Sequence, residues 1–188
     1  MTLYSADACP YCVRTRLVLN GKGIPHELVQ VDLSPKPAWL RDLNPRNRVP
    51  VLEVDGTILV ESEVLNEYLE ETHPEPPMLP VDAEGRARVR ATMRRFEDLT
   101  DAYYAARREQ PGAVEDTYEE LRWISEALEQ HEFLAGDMYT LADPGVWPWI
   151  VRMHRFGIDV SRFPAIVDWC DRLALRPEYA AELNLLLA

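Results

Sequence analysis

The sequence predicts an α/β domain followed by an all-helical one. Two stretches and one change of pattern carry that prediction. A short apolar run, Thr2-Leu3-Tyr4, leads into Cys9-Pro10-Tyr11-Cys12, which opens a long helical pattern. Strand, Cys-x-x-Cys and helix in that order mark a thioredoxin-like redox motif. The segment His73-Pro74-Glu75-Pro76-Pro77-Met78-Leu79-Pro80 breaks the chain, and from Asp82 onward the pattern is helical, with no convincing strand. The expected division is a thioredoxin-like domain over residues 1–72, a proline-rich linker over 73–81 and an all-α domain over 82–188.

A chain of 188 residues is long enough for one good-sized domain or two small ones. With 47% apolar and 28% charged residues it has a globular, soluble composition. No apolar run approaches the length of a membrane span, so no membrane association is expected. The start lacks the basic and apolar regions of a signal peptide, and a motif this near the N-terminus leaves no room for a removable leader. A cytoplasmic location, where a dithiol stays reduced, is the expectation. The net charge of −12 argues against nucleic acid as a partner. It would also repel an anionic ligand, which then needs local positive features such as helix N-termini or a few placed cations.

The elements follow in order. At the first helix, Cys9 is expected at the N-cap and Pro10 at the first helical position, where a missing N–H costs nothing. The amides of the first turn then favour a thiolate at Cys9. Cys12 falls three residues on, on the same side of the helix, within reach of Cys9 for disulfide exchange. Half a zinc site and a structural bridge are the plainer alternatives. Zinc needs more ligands than two sulfurs, and Cys170 stands far away with no nearby histidine. A bridge this short closes almost no loop and would stabilise little.

Val13, Leu17 and Val18 form the apolar stripe of that helix, with Arg14 and Arg16 expected on its other faces, and Asn20-Gly21-Lys22-Gly23 as its stop. His26 to Val31 alternates as a second strand, parallel to the first across the helix. Pro37 to Leu43 is expected as a short helix. Val49 to Val54 and Thr57 to Val60 flank Asp55-Gly56, a type I′ hairpin signal. Glu61-Ser62 opens a helix carrying Val64, Leu65, Tyr68 and Leu69. Taken alone, such a pair before an apolar helix is usually only a cap.

The order β-α-β-α-β-β-α is that of the thioredoxin fold, and within it the residues from Cys9 through Glu70 resemble the N-terminal domain of glutathione transferases, the omega class above all. The resemblance lies in Arg14-Thr15-Arg16-Leu17-Val18-Leu19, Lys22-Gly23-Ile24, Lys36-Pro37, Trp39, Asn44-Pro45, Val49-Pro50-Val51-Leu52-Glu53 and Glu61-Ser62. Two-domain bacterial glutaredoxins are the second-best match and share the Cys-Pro-Tyr-Cys centre, whereas the omega pattern is Cys-Pro-Phe-Ala. The resemblance implies a role for each site residue. Pro50 would be a cis proline facing Cys9, and the Val49 backbone would pair with the cysteinyl part of glutathione by strand addition. Glu61 and Ser62 would hold the γ-glutamyl end, Glu61 its ammonium and Ser62 its carboxylate. Lys36 would meet the glycine carboxylate, and Tyr11 would line the cysteinyl pocket. Asn47 replaces the family's glycine before Val-Pro, and asparagine also tolerates a left-handed backbone.

In the second half, Val89, Met93, Phe96, Leu99 and Tyr103 mark one long helix, and Tyr118, Leu121, Ile124 and Leu128 a second. Thr140-Leu141-Ala142-Asp143 has the form of a capping box. Pro144 and Pro148 should distort the helix it opens. Trp147-Pro148-Trp149 is close to the omega pattern at this place, and these large aromatics are expected in the core rather than lining a pocket. Phe163, Ile166, Val167, Cys170 and Leu173 form a further amphipathic helix, with Cys170 as a buried, inert thiol, and a last helix runs from Pro177 to Leu187. The family's late substrate-pocket aromatic has no evident counterpart. The four histidines show no metal spacing. The resemblance therefore implies a glutathione-dependent thiol–disulfide oxidoreductase with Cys9 as nucleophile and Cys12 beside it, glutathione as co-substrate and no metal. Its second substrate would be a mixed disulfide or an oxidised small molecule such as dehydroascorbate. The resemblance also allows a symmetric homodimer, with the helix near Val89 as a contact. The rival readings are a transferase that conjugates electrophiles and a non-catalytic binding or regulatory member of the fold.

Overall fold

A computed structural model describes residues 1–187. By its contacts the chain forms two compact units, one of residues 1–76 joined by the segment that starts at Pro177, the other Pro77–Arg176.

The first unit is built on four strands, β1 (Thr2–Ser5), β2 (Glu27–Gln30), β3 (Val51–Val54) and β4 (Thr57–Val60), in the order β2-β1-β3-β4. β1 and β2 run parallel with Leu3 opposite Leu28, and β3 lies antiparallel to β1 with Leu3 opposite Leu52. The β3–β4 hairpin turns at Asp55 (φ 50°) and Gly56 (φ 80°), both left-handed as a type I′ turn requires. β2 is an edge strand whose Leu28 is 47% exposed, so the alternation of this stretch marks an edge and not a buried face. Helices α1 (Pro10–Gly21), α2 (Leu40–Leu43) and α3 (Ser62–Thr72) complete the α/β part. α2 is shorter than the sequence suggests: Leu40 and Arg41 donate to the Pro37 and Ala38 carbonyls, three residues back, before the regular turn begins.

α1 packs on more than one side. Val13, Leu17, Val18 and Leu19 are fully buried, and both arginines on the other faces are buried too: Arg14 is 5% and Arg16 3% exposed. Lys22, in the expected helix stop, is likewise buried. Its Nζ pairs with Glu70 and donates to the His73 and Pro76 carbonyls, each at 2.8 Å. One ammonium with three donors thus satisfies a carboxylate and the proline-rich segment together.

The second unit is helical. α4 (Ala83–Arg107) starts at Asp82, whose carboxylate accepts the Gly85 N–H at 2.7 Å, and its stripe Val89, Met93, Phe96, Leu99 and Tyr103 is buried. Val89 is only 2% exposed within the chain, so it is itself a core residue, and a contact between copies would need another face of α4. α5 (Ala113–Gln130) buries Leu121, Ile124 and Leu128. α6 (Ala142–Ile150) is buried along its whole length, including Trp147 and Trp149 at 0% exposure, as the core reading requires. Pro144 stands in its first turn, where an N–H has no helical partner anyway, while Pro148 lies inside the helix. A Cβ on Gly145 would stand 2.5 Å from the Met93 sulfur, so a larger residue here would make the Met93 side chain move aside. Two 3₁₀ turns (Met153–Phe156, Val160–Arg162) lead to α7 (Pro164–Ala174). Cys170 on α7 is partly buried, and burial pushes its thiol up to about 12. That is an inert sulfur at neutral pH.

The last helix, α8 (Pro177–Leu187), belongs by its contacts to the first unit, not to the helical region in which its sequence position places it. Ala188 lies outside the described residues.

Candidate functional site

The site is assembled where β1 hands over to α1. Cys9 is the N-cap, with extended backbone (φ −89°, ψ 115°), and Pro10 follows at the first helical position. The Cys9 carbonyl accepts the Cys12 and Val13 amides, each at 3.0 Å, and the Cys9 amide donates to the Ala6 carbonyl at 3.1 Å. The chain therefore turns tightly onto the helix and leaves the half-buried Cys9 side chain at its positive end.

Both cysteines are free thiols, and Cys12 has no exposed surface. Its Sγ accepts the Ala6 N–H at 3.3 Å. Burial, then Cys9, raise the Cys12 thiol well above its ordinary value, so it stays protonated while Cys9 is reduced. Cys12 and Val49 share one apolar cluster with Ala6, Val31, Leu40 and Val51, and Cys9 packs against it. The Val49-Pro50 peptide is cis, both residues are buried, and Val49 precedes Val51, where the β3 ladder begins.

The remaining expected residues fall into three groups. Tyr11 lies over the Arg14 guanidinium, 5.2 Å from ring centroid to carbon. Arg14 donates from Nε to Ser62 Oγ at 2.7 Å and from Nη1 to Glu63 at 3.0 Å. Ser62 is thus buried at the start of α3 with a cation behind its hydroxyl, and neither Glu61 nor Ser62 makes a side-chain cap. Glu61 instead has φ 69°, a left-handed backbone that glutamate adopts rarely, and its carboxylate pairs with Arg46 at 2.9 Å on the surface. Lys36 is exposed and donates to the Asn47 carbonyl at 2.8 Å, Asn47 being left-handed at φ 54°. The structure therefore joins Cys9, Cys12 and Val49, joins Tyr11 to Ser62 through Arg14, and engages Glu61 and Lys36 with Arg46 and Asn47.

Sequence reasoning missed Arg14 and Arg46. For Arg14 a signal existed: α1 contains no acidic residue, so its cations had to find partners outside it. Among the described residues no group of three or more His, Cys, Asp or Glu is placed to hold a metal ion. No described helix is long and apolar enough to cross a membrane.

Residues 3–77 match the family description "Glutathione S-transferase, N-terminal domain", and residues 83–177 match "Glutathione S-transferase, C-terminal domain". The chain is 32% identical to glutathione S-transferase omega-1 of Rattus norvegicus over 177 residues, covering 89% of this chain and 73% of that protein. It is 30% identical to pyrimidodiazepine synthase of Drosophila melanogaster over 195 residues, 96% of this chain and 79% of that one. Among solved structures, glutathione transferase Omega 1C from Trametes versicolor superposes with a TM-score of 0.83 at 25% identity, covering 96% of this chain and 89% of the other.

Proposed function

Because the chain belongs to the glutathione S-transferase superfamily and is omega-like within it, we propose that it reduces glutathione mixed disulfides, with Cys9 as the nucleophile and glutathione as co-substrate. One observation carries this reading: a half-buried cysteine thiol at the N-cap of α1, with a second, buried thiol in the cluster it packs against. A helix N-terminus stabilises a thiolate, which is both the better nucleophile and, at the regeneration step, the better leaving group. Conjugating transferases use glutathione itself as the thiolate and have no need of a protein dithiol.

Cys9 thiolate attacks the glutathione sulfur of a mixed disulfide, which releases the substrate thiolate and leaves Cys9 joined to glutathione. A second glutathione thiolate then attacks the glutathione sulfur of that adduct, giving glutathione disulfide and free Cys9. Cys12 offers an internal alternative, attacking Cys9 and expelling glutathione. For glutathione itself the proposed contacts are the Val49 backbone ahead of β3, Ser62 backed by Arg14 for the γ-glutamyl carboxylate, and Glu61 for its ammonium. Tyr11 and Pro50 would border the cysteinyl moiety, and Lys36 would take the glycine carboxylate. The two exposed groups, Glu61 and Lys36, exchange their present partners for the ligand.

The test is a panel at equal enzyme and glutathione: a glutathione mixed disulfide, dehydroascorbate and an aryl halide. Turnover of the first, or of the first two, far above the third is expected. The reverse ranking would assign conjugation, and no turnover of any of them by folded protein would assign a binding role.

A further inference from the structure

Two buried cations, Arg14 in α1 and Lys22 at its C-cap, meet α3, and they are satisfied differently. Lys22 pairs with Glu70, and the two side chains are 0% and 8% exposed, so both charges cancel in place. Arg14 instead donates from Nε to a neutral group, the Ser62 hydroxyl, at 2.7 Å. Its Nη1 donates at 3.0 Å to the carboxylate of Glu63, whose side chain is 46% exposed. A carboxylate already screened by water offsets a buried guanidinium less than a buried carboxylate would. The Tyr11 ring, from the first turn of α1, packs on the guanidinium at 5.2 Å.

Positive charge therefore stands behind the start of α3. Ser62 is 4% exposed, and no side chain caps the amides of this turn. A serine hydroxyl has one proton and two lone pairs, so an oxygen that accepts from Arg14 keeps its own proton to donate. Arginine keeps its charge at any ordinary pH. An acceptor that meets this hydroxyl meets the charge as well, and a carboxylate gains from both. In a chain of net charge −12, an anionic ligand needs such a local exception. The neighbouring Glu61 carboxylate does not compete for the hydroxyl, since it pairs with Arg46 at 2.9 Å on the surface.

We infer that Arg14 is a positioning and specificity-determining residue: it holds the Ser62 hydroxyl as a donor and sets a buried positive charge behind it, so that the site requires a carboxylate on the end of the thiol co-substrate that meets α3. This rests on the glutathione reading above, which puts the γ-glutamyl carboxylate at Ser62. It goes beyond that reading by assigning the choice among low-molecular-weight thiols to a residue of α1 that acts through Ser62. The fork matters as well as the charge. One planar group spans Ser62 and Glu63 together, which the single ammonium of lysine cannot reproduce.

The test is calorimetric titration of the whole reduced chain with glutathione and with 4-aminobutyryl-cysteinyl-glycine, which keeps the thiol and the ammonium and lacks only that carboxylate. The parent should prefer glutathione by about 10- to 100-fold, the range for a charge-assisted hydrogen bond. In Arg14→Met the preference should fall to about threefold or less, as expected once the donor is no longer held or charge-assisted. Arg14→Lys keeps the charge without the fork, so its preference should lie between the two. Ser62→Ala should also lose the preference, and adding Arg14→Met to it should change little, since both act through one hydrogen bond. The preference compares two ligands on one folded protein, so a loss of stability common to both cancels, and a merely structural Arg14 would leave it unchanged. A parental preference in Arg14→Met overturns the proposal. So does an equal effect of Arg14→Met with and without the Ser62 hydroxyl, which would leave charge alone as the cause. Should Arg14→Met fail to fold, Arg14→Lys decides, and a parental preference there overturns the held donor. A parent that binds both ligands equally overturns the proposal as well. A parent that binds neither is a separate result, which removes the glutathione reading beneath it.

Discussion

Glu182 in the first unit and Asp143 in the second are both buried carboxylates, at 2% and 0% exposure, yet they are satisfied in opposite ways. Asp143 accepts from uncharged donors close at hand: Thr140 N at 2.9 Å, Leu134 N at 3.2 Å and Trp169 Nε1 at 3.0 Å. It holds the start of its own helix and one ring of α7. Glu182 is held by a cation on α1, and that cation also reaches the strand beside the cysteines. A carboxylate met by neutral N–H groups fixes local structure. One met by a buried guanidinium extends a network, here to the Ser5 hydroxyl and the Ala6 carbonyl beside the cysteines. Burial of charge alone therefore does not mark a site; what the counter-group touches next does.

The strongest challenge to this contrast is Cys9→Ser. It should lower glutathione-dependent thiol exchange by at least about a thousandfold, since no other thiol stands at the helix end, while the unfolding midpoint stays near that of the parent. Mixed-disulfide turnover alongside circular dichroism melts would check both halves. Appreciable residual activity carried by Cys12 would reverse the assigned roles.

Asp143→Ala should show the opposite profile. It leaves two amides and an indole N–H buried without an acceptor, and should cost about 3–5 kcal/mol of stability. Chemical denaturation would measure it, and a loss below about 1 kcal/mol would mean that the second unit does not depend on this box.

A pH series sharpens the same point. Burial raises the Asp143 carboxyl from 3.8 to about 6. The folded state therefore holds this proton more tightly than the unfolded chain. The stabilisation is fully present below the unfolded value and is lost as pH rises through about 6. The amount is on the order of 3 kcal/mol. Asp143→Asn cannot titrate, so the difference in unfolding free energy between parent and variant should change by about that amount between pH 4 and pH 7. A constant difference across the range would place the carboxyl at an ordinary value.

The smallest expected effect is at the surface of the first unit. Glu61→Ala should weaken glutathione binding by about 1.5–3 kcal/mol, the range for a charge-assisted hydrogen bond, with the exchange of partner from Arg46 drawing it toward the lower end. Calorimetry giving parental affinity in a folded variant would remove Glu61 from the site.

Much of this molecule was determined by sequence alone because its causes are local. The position of Cys9 before Pro10, the Asp55-Gly56 turn, the stripe from Val89 to Tyr103 and the Thr140–Asp143 box each depend on residues within a turn or two of one another, where backbone geometry sets what can meet. The placement of Cys12 in the first turn, its amide on the Cys9 carbonyl, was legible for the same reason. Only the tertiary structure decided where the charges of α1 would go. Arg14 finds Ser62 and Glu63 at 48 and 49 residues along the chain, and Arg16 finds Glu182 at 166. It was likewise tertiary structure that left Glu61 and Ser62 without a capping role and returned α8 to the first unit. Helical periodicity reports which faces are apolar, not which polar groups will be buried with them. A buried charge is tolerated wherever packing happens to bring its counter-group, and that proximity is a property of the folded chain.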